Sequence, residues 1–189
     1  MPTEVPNADW RPVGAVFATR AWVVKVASEA DVTPAVTQLG GHMNERQRQA
    51  FRDKLERYVR KPDRDLMIAV SDAGVLGFYC VVEALPTPQD LADPVVQILR
   101  PMASCTGLLV DSGHRRQGIG ASLVRRGEQW ARERAKAGLW LVTHRAASWY
   151  ERHFGYEPLA RVQEKGVAKT LMARCFSESS HPFHAVLSR

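Results

Sequence analysis

Arg115-Arg116-Gln117-Gly118-Ile119-Gly120 places two cations beside two glycines, a composition suited to holding an anion. Leu108, Leu109 and Val110 precede it as an apolar run, and Asp111 to Gly113 end that run. From Ile119 onward Leu123, Val124, Gly127, Trp130 and Ala131 recur at helical spacing. The stretch therefore reads as a buried strand, a tight turn and the first turn of an amphipathic helix. At such a helix N-terminus, unpaired N–H groups and the positive end of the macrodipole favour an anion, and glycine lets the backbone come close to it. A phosphate is the expected ligand. A Walker-type loop would need Lys and then Ser or Thr after Gly118, where Ile119 and Gly120 stand. A dinucleotide fingerprint starting at Gly118 would need Gly or Ala where Leu123 stands.

The elements that must position this turn follow from the chain around it. With 189 residues and 45% hydrophobic content, one well-buried core is expected, and two ordinary domains are not. The net charge of +6 suits an anionic ligand, yet 20 acidic residues are interspersed with the basic ones, so a nucleic-acid partner is not expected. Cys80, Cys105 and Cys175 are odd in number and far apart, which indicates neither a disulfide framework nor a metal site and suits a reducing cytoplasm. No apolar run approaches the roughly 20 residues of a spanning helix, and the N-terminus lacks the basic and apolar regions of a signal peptide, so no membrane partner is expected.

Met1 to Pro12 reads as an irregular arm, with a short strand open at Val13 to Phe17. Trp22 to Val26 is a strand, and Ser28 then starts a helix with the stripe Val32, Ala35, Val36 and Leu39, ended by Gly40-Gly41. Asn44 caps a second helix whose apolar face is Phe51, Leu55 and Val59. Leu66 to Val70 and Val75 to Glu83 form an antiparallel hairpin around Ser71-Asp72-Ala73-Gly74. Proline-rich Ala84 to Met102 reads either as a substrate-side lid or as a surface excursion with a helical turn at Leu91 to Leu99. The helix from Gly120 to about Lys136 and the apolar run Leu139 to Val142 complete a parallel strand–helix–strand unit. A short helix at Ser148 to Phe154 and strands at Leu159 to Gln163 and Val167 to Phe176 follow, then a tail from Ser177. The fold class is α/β: a mixed central sheet with antiparallel N-terminal strands followed by the parallel unit.

Arg115-x-x-Gly118-x-Gly120 after an apolar strand resembles the acetyl-CoA pyrophosphate loop of the GNAT N-acetyltransferase superfamily. A second segment, Thr143 through Ala146, Trp149-Tyr150 and Gly155-Tyr156, is similar to that family's stretch after the fifth strand. Thr143 stands where the family often has Asn, and Gly155 comes one residue later than usual. The resemblance covers about residues 22–176 of a single domain spanning 1–189, leaving 1–21 as an arm and 177–189 as a tail.

The resemblance implies an N-acetyltransferase that moves acetyl from acetyl-CoA directly to a primary amine. Leu108, Leu109 and Val110 would pair with the pantetheine arm through their backbone. Arg115, Arg116, Gln117, Gly118, Ile119, Gly120 and Ala121 would hold the pyrophosphate. Tyr150 stands where the family places the general acid for the leaving thiolate. The incoming amine must lose a proton, since a free alkylammonium has a pKa near 10.4. Where some members carry a glutamate for that task this chain has Ser104, so the base stays open among Glu83, a water ordered by Ser104 and Thr106, and His144. Cys105 reads as a core cysteine. The acceptor and a homodimer are open, and a non-catalytic acyl-CoA-binding module on the same fold is the alternative.

Overall fold

The computed structural model describes residues 22–88, 91–164 and 166–176. The expected strand at Val13 to Phe17 and the tail from Ser177 lie outside the described residues. In chain order the elements are β1 (Val23–Val26), α1 (Glu29–Leu39), α2 (Glu45–Arg60), β2 (Arg64–Ser71), β3 (Gly74–Val82), α3 (Asp93–Leu99), β4 (Ala103–Val110), α4 (Ile119–Glu133), β5 (Gly138–Thr143), α5 (Ala147–Phe154), β6 (Glu157–Glu164) and β7 (Val167–Cys175). Among the described residues they build one sheet in the order β1-β2-β3-β4-β5-β7-β6, antiparallel throughout except for the β4–β5 pair. The expected mixed sheet is therefore present, with its parallel step at the strand–helix–strand unit.

Helix limits follow local chemistry. Asn44 caps α2 by accepting from the Gln47 amide at 2.9 Å while the Gln47 side chain accepts from the Asn44 amide at 3.0 Å. Asp31 accepts from the Ser28 amide at 2.8 Å at the start of α1. Gly155 ends α5 at φ 66°, in the left-handed region. In Ala84 to Met102, the residues of α3 form a two-turn helix whose Val95 and Leu99 pack with Met102 and Trp140.

Both faces of the sheet are covered. The α1 and α2 side chains pack on Leu66, Ile68, Phe78 and Cys80, whereas α4 and α5 pack on Met67, Tyr79, Val81 and Leu141. Glu128 is buried on α4, and both of its oxygens accept from Arg174 Nη1 at 2.9 Å, which offsets the cost of removing the carboxylate from water. The α2 stripe turns slightly from its expected phase: Phe51, Leu55 and Tyr58 are the buried positions, while Val59 is only partly covered.

Two irregularities in β4 shape the site. Cys80 faces Gly107 while its neighbour Val81 faces Cys105, so Thr106 is the extra residue of a β-bulge. On the other side, β4 pairs with β5 only at Ala103, Ser104 and Cys105, opposite Leu139, Trp140 and Leu141. Beyond this seam both strands run on, β4 to Val110 and β5 to Thr143, with no pairing between them. The sheet is open there as a notch, and one edge of β4 faces it.

Candidate active site

The notch leads at one end to the turn before α4. Asp111 organises that turn, accepting from the Gly113 amide at 3.1 Å and contacting His114 Nδ1 at 2.8 Å; the His114 contact holds the Asp111 carboxyl below its usual range. Arg116 has φ 61° and Gly118 φ 83°. Two left-handed residues so close reverse the chain and aim the following amides outward. Gly118 is the N-cap of α4 and offers no capping side chain, so the first-turn amides remain for an external acceptor. Arg115, Arg116, Gln117 and Gly118 are exposed, whereas Ile119 is buried and anchors the helix. Arg115 Nε donates to the Val110 carbonyl at 3.3 Å, which ties the loop to the end of β4. A phosphate group fits this arrangement through its amides and its two guanidinium groups.

From the notch a cavity of about 840 Å³ extends between β4, β5, the start of α5 and the β6–β7 hairpin. Leu108 and Thr106 line one wall, Leu141 and Thr143 the facing one, and Leu85 to Pro88 form part of the rim. The start of the proline-rich connection thus borders the cavity, while its later half is α3. Leu109 and Val110 face a second, smaller recess that also includes Arg115.

Tyr150 lies on the wall of the larger cavity and is 4% exposed. Its ring stands edge-on to Trp149 at 4.9 Å and to Tyr156 at 5.4 Å, and burial pushes its phenol well above the ordinary tyrosine range. The hydroxyl is therefore in its protonated, donating form. The additional residue before Gly155 leaves Tyr150 facing the cavity. Thr143, in place of the family's Asn, accepts from the Ala146 amide at 3.1 Å and sets the turn into α5.

The candidates for proton removal separate. Glu83 does not line the cavity; its carboxylate pairs with Arg134 at 3.3 Å and Lys136 at 3.0 Å beside the C-terminal end of α4. Glu83 thus stands outside the cavity lining, with two cations holding its carboxylate beside the end of α4. Ser104 is wholly buried in the seam and its hydroxyl has no partner among the described residues. His144 does line the cavity, and its Nδ1 is 3.1 Å from the Ala168 carbonyl. A carbonyl only accepts, so Nδ1 carries the proton and Nε2 of the neutral ring keeps a free lone pair. Cys105 lines the cavity as well, but burial pushes its thiol up to about 11, which leaves little thiolate at neutral pH.

Two residues of α2 that no sequence motif singled out grip the bulge. Lys54 Nζ donates to the Thr106 carbonyl at 3.0 Å, and the Tyr58 hydroxyl is hydrogen-bonded to Thr106 Oγ1. One helical turn apart, they reach the same residue, and burial pushes the Tyr58 phenol up to about 12. A Cβ at Gly107 would stand 2.8 Å from Lys54 Nζ, so glycine there makes room for the contact. The only sequence signal was the spacing of Lys54 and Tyr58 on one helix face, which says nothing of a partner in β4.

Among known proteins, the model of the acetyltransferase (GNAT) family matches residues 34–156. Solved structures share the fold at low identity. An aminoglycoside 6'-N-acetyltransferase complexed with coenzyme A is 14% identical with a TM-score of 0.64, over 81% of this chain and 96% of that one. The PaiA N-acetyltransferase from Thermoplasma acidophilum, in complex with coenzyme A, is 14% identical with a TM-score of 0.59, over 82% and 99%. An acetyltransferase of the GNAT family from Staphylococcus aureus Mu50 is 13% identical with a TM-score of 0.58, over 83% and 100%. No protein of curated function matches the sequence.

Proposed function

The chain belongs to the acetyltransferase (GNAT) family, a family of acyltransferases, and from that premise we propose that it transfers acetyl from acetyl-CoA directly to a primary amine. The observation that carries this reading is the continuity of the site: an unpaired β4 edge runs into a glycine-capped helix N-terminus, with the protonated Tyr150 on the wall between. Bound acetyl-CoA supplies an acyl thioester. Leu108, Leu109 and Val110 offer it backbone groups as a sheet edge offers them to an added strand. Residues Arg115 to Ala121 bind its phosphates, with amides from the α4 turn and charge from the two arginines. Tyr150 donates a proton or hydrogen bond to the departing sulfur, and His144 Nε2 takes the amine's proton through a water. The three cysteines, free in the fold, suit a reducing cytoplasm, and among the described residues no helix is long and apolar enough to cross a membrane.

Free-thiol release from acetyl-CoA with a panel of primary amines tests the transfer. Amine-dependent release supports it. Tight CoA binding with no release for any amine would establish the non-catalytic acyl-CoA-binding module in its place.

The charge on the loop gives a second measurement. CoA affinity falls as ionic strength rises, and desphospho analogues bind more weakly with a shallower salt dependence. Arg115→Ala and Arg116→Ala each flatten the slope in calorimetric titrations. An unchanged slope in both variants would reduce the two arginines to solvated surface charges.

A further inference from the structure

We propose that the acceptor carries a carboxylate together with its amine, of the amino-acid class, and that Arg161 on β6 is the residue that selects it; this rests on the acetyltransferase reading above. The argument is a balance of charge around the cavity. Its lining holds the cations Arg161 and Lys169 against the carboxylate of Glu164. Lys169 Nζ and Glu164 Oε2 are 2.8 Å apart, so these two neutralise each other. Arg161 has no carboxylate partner among the described residues: its Nη1 donates to Thr170 Oγ1 at 3.0 Å, a neutral contact that orients the fork without cancelling its charge.

The cofactor does not call for this charge. Its phosphates are provided for at the α4 turn, where Arg115 and Arg116 stand, and the pantetheine and acetyl portions beside Tyr150 are uncharged. Arg161 is an exposed residue that shares the cavity lining with Tyr150 and has no carboxylate partner among the described residues, so its guanidinium is available to charge on the other reactant, and a planar fork matches a carboxylate with two parallel hydrogen bonds. A polycationic acceptor is disfavoured by the same balance, since a lining with one paired carboxylate and a free guanidinium repels it. A positive wall also lowers the pKa of a nearby ammonium and so favours the neutral, nucleophilic amine. Trp140, Val142 and Val162 add an apolar surface to the lining, suited to a hydrophobic side chain on the same acceptor.

The test compares L-phenylalanine, phenethylamine, which lacks only the carboxylate, and spermidine, with acetyl-CoA and thiol release as readout. L-Phenylalanine is expected to show the highest kcat/KM of the three. Arg161→Gln raises its KM about 10- to 100-fold, as the loss of a charge-assisted pair requires, moves the KM for phenethylamine less than about threefold, and leaves the KM for acetyl-CoA close to wild type. Preference for spermidine or phenethylamine overturns the proposal, and so does a rise in the acetyl-CoA KM, which would assign Arg161 to the cofactor. Calorimetry of N-acetyl-L-phenylalanine and N-phenethylacetamide on the CoA-loaded protein keeps the two readings apart. If no amine supports turnover, the transferase reading fails, while the carboxylate site stands on weaker binding of the acid alone in Arg161→Gln and falls on equal binding in both proteins.

Discussion

Tyr150→Phe lowers turnover on the order of 100- to 10,000-fold, the usual contribution of a positioned general acid, and leaves CoA affinity close to wild type. The substitution keeps the ring, and the ring does the packing: Trp149, Phe154 and Tyr156 surround it edge-on or tilted. The fold is therefore retained and the loss falls on the chemical step. Because burial raises the phenol's pKa, the hydroxyl keeps its proton across the neutral range, and the basic limb of a rate profile is not set by Tyr150. Turnover on a good acceptor, with chemistry shown to be rate-limiting, decides the matter. Wild-type turnover in the Phe variant would transfer proton donation to water or to a backbone group.

Gly120→Glu abolishes measurable CoA binding, a loss of about 100-fold or more, in a protein that still folds. The nearest atoms to a Cβ at this position are Val110 Cγ2 at 3.6 Å and Trp149 ring atoms at 3.8 Å, ordinary contact distances. A Cβ there fits without displacing backbone, and Gly120 has no left-handed φ to lose. The introduced carboxylate then enters the space where the α4 amides and the two arginines attract an anion, and it competes with the phosphate both sterically and electrostatically. Gly118 would be the wrong site for this experiment, since φ 83° is strained for any other residue and folding itself would suffer. Calorimetric titration with CoA beside a thermal melt separates the effects. A folded variant that binds CoA as wild type does would remove the phosphate-loop assignment.

The parts of the site legible in the sequence were those written in consecutive residues. Gly118 and Gly120 after an apolar run mark a strand, turn and helix start because each step has its own local cause. Asn44, Gly74 and Gly155 likewise mark ends that backbone chemistry imposes. What could not be read is what the chain assembles at a distance. The bulge at Thr106 is fixed by register with β3 and by two α2 side chains about fifty positions earlier, so no window of sequence contains it. Tyr58 escaped notice because the Phe51, Leu55 and Val59 stripe already satisfies helical spacing, and a small rotation exchanges Val59 for Tyr58 at the interface. Glu83 was expected near the start of β4, and Val82 does pair with Ser104 there. Which way the next side chain turns depended on Arg134 and Lys136, contributed by the end of α4 and the segment after it. The charge balance around Arg161 depends in the same way on β7 approaching β6 with Lys169 and Thr170.

The short β4–β5 seam also gives one strand two kinds of amide. Successive N–H groups along a strand point to opposite neighbours. From Gly107 to Val110, those turned toward β3 are held in its ladder, while those turned toward the notch have no partner on β5. In hydrogen exchange β4 is therefore a strand of two interleaved populations: a slow one that reports the opening of the sheet, and a fast one whose protection depends on what occupies the notch.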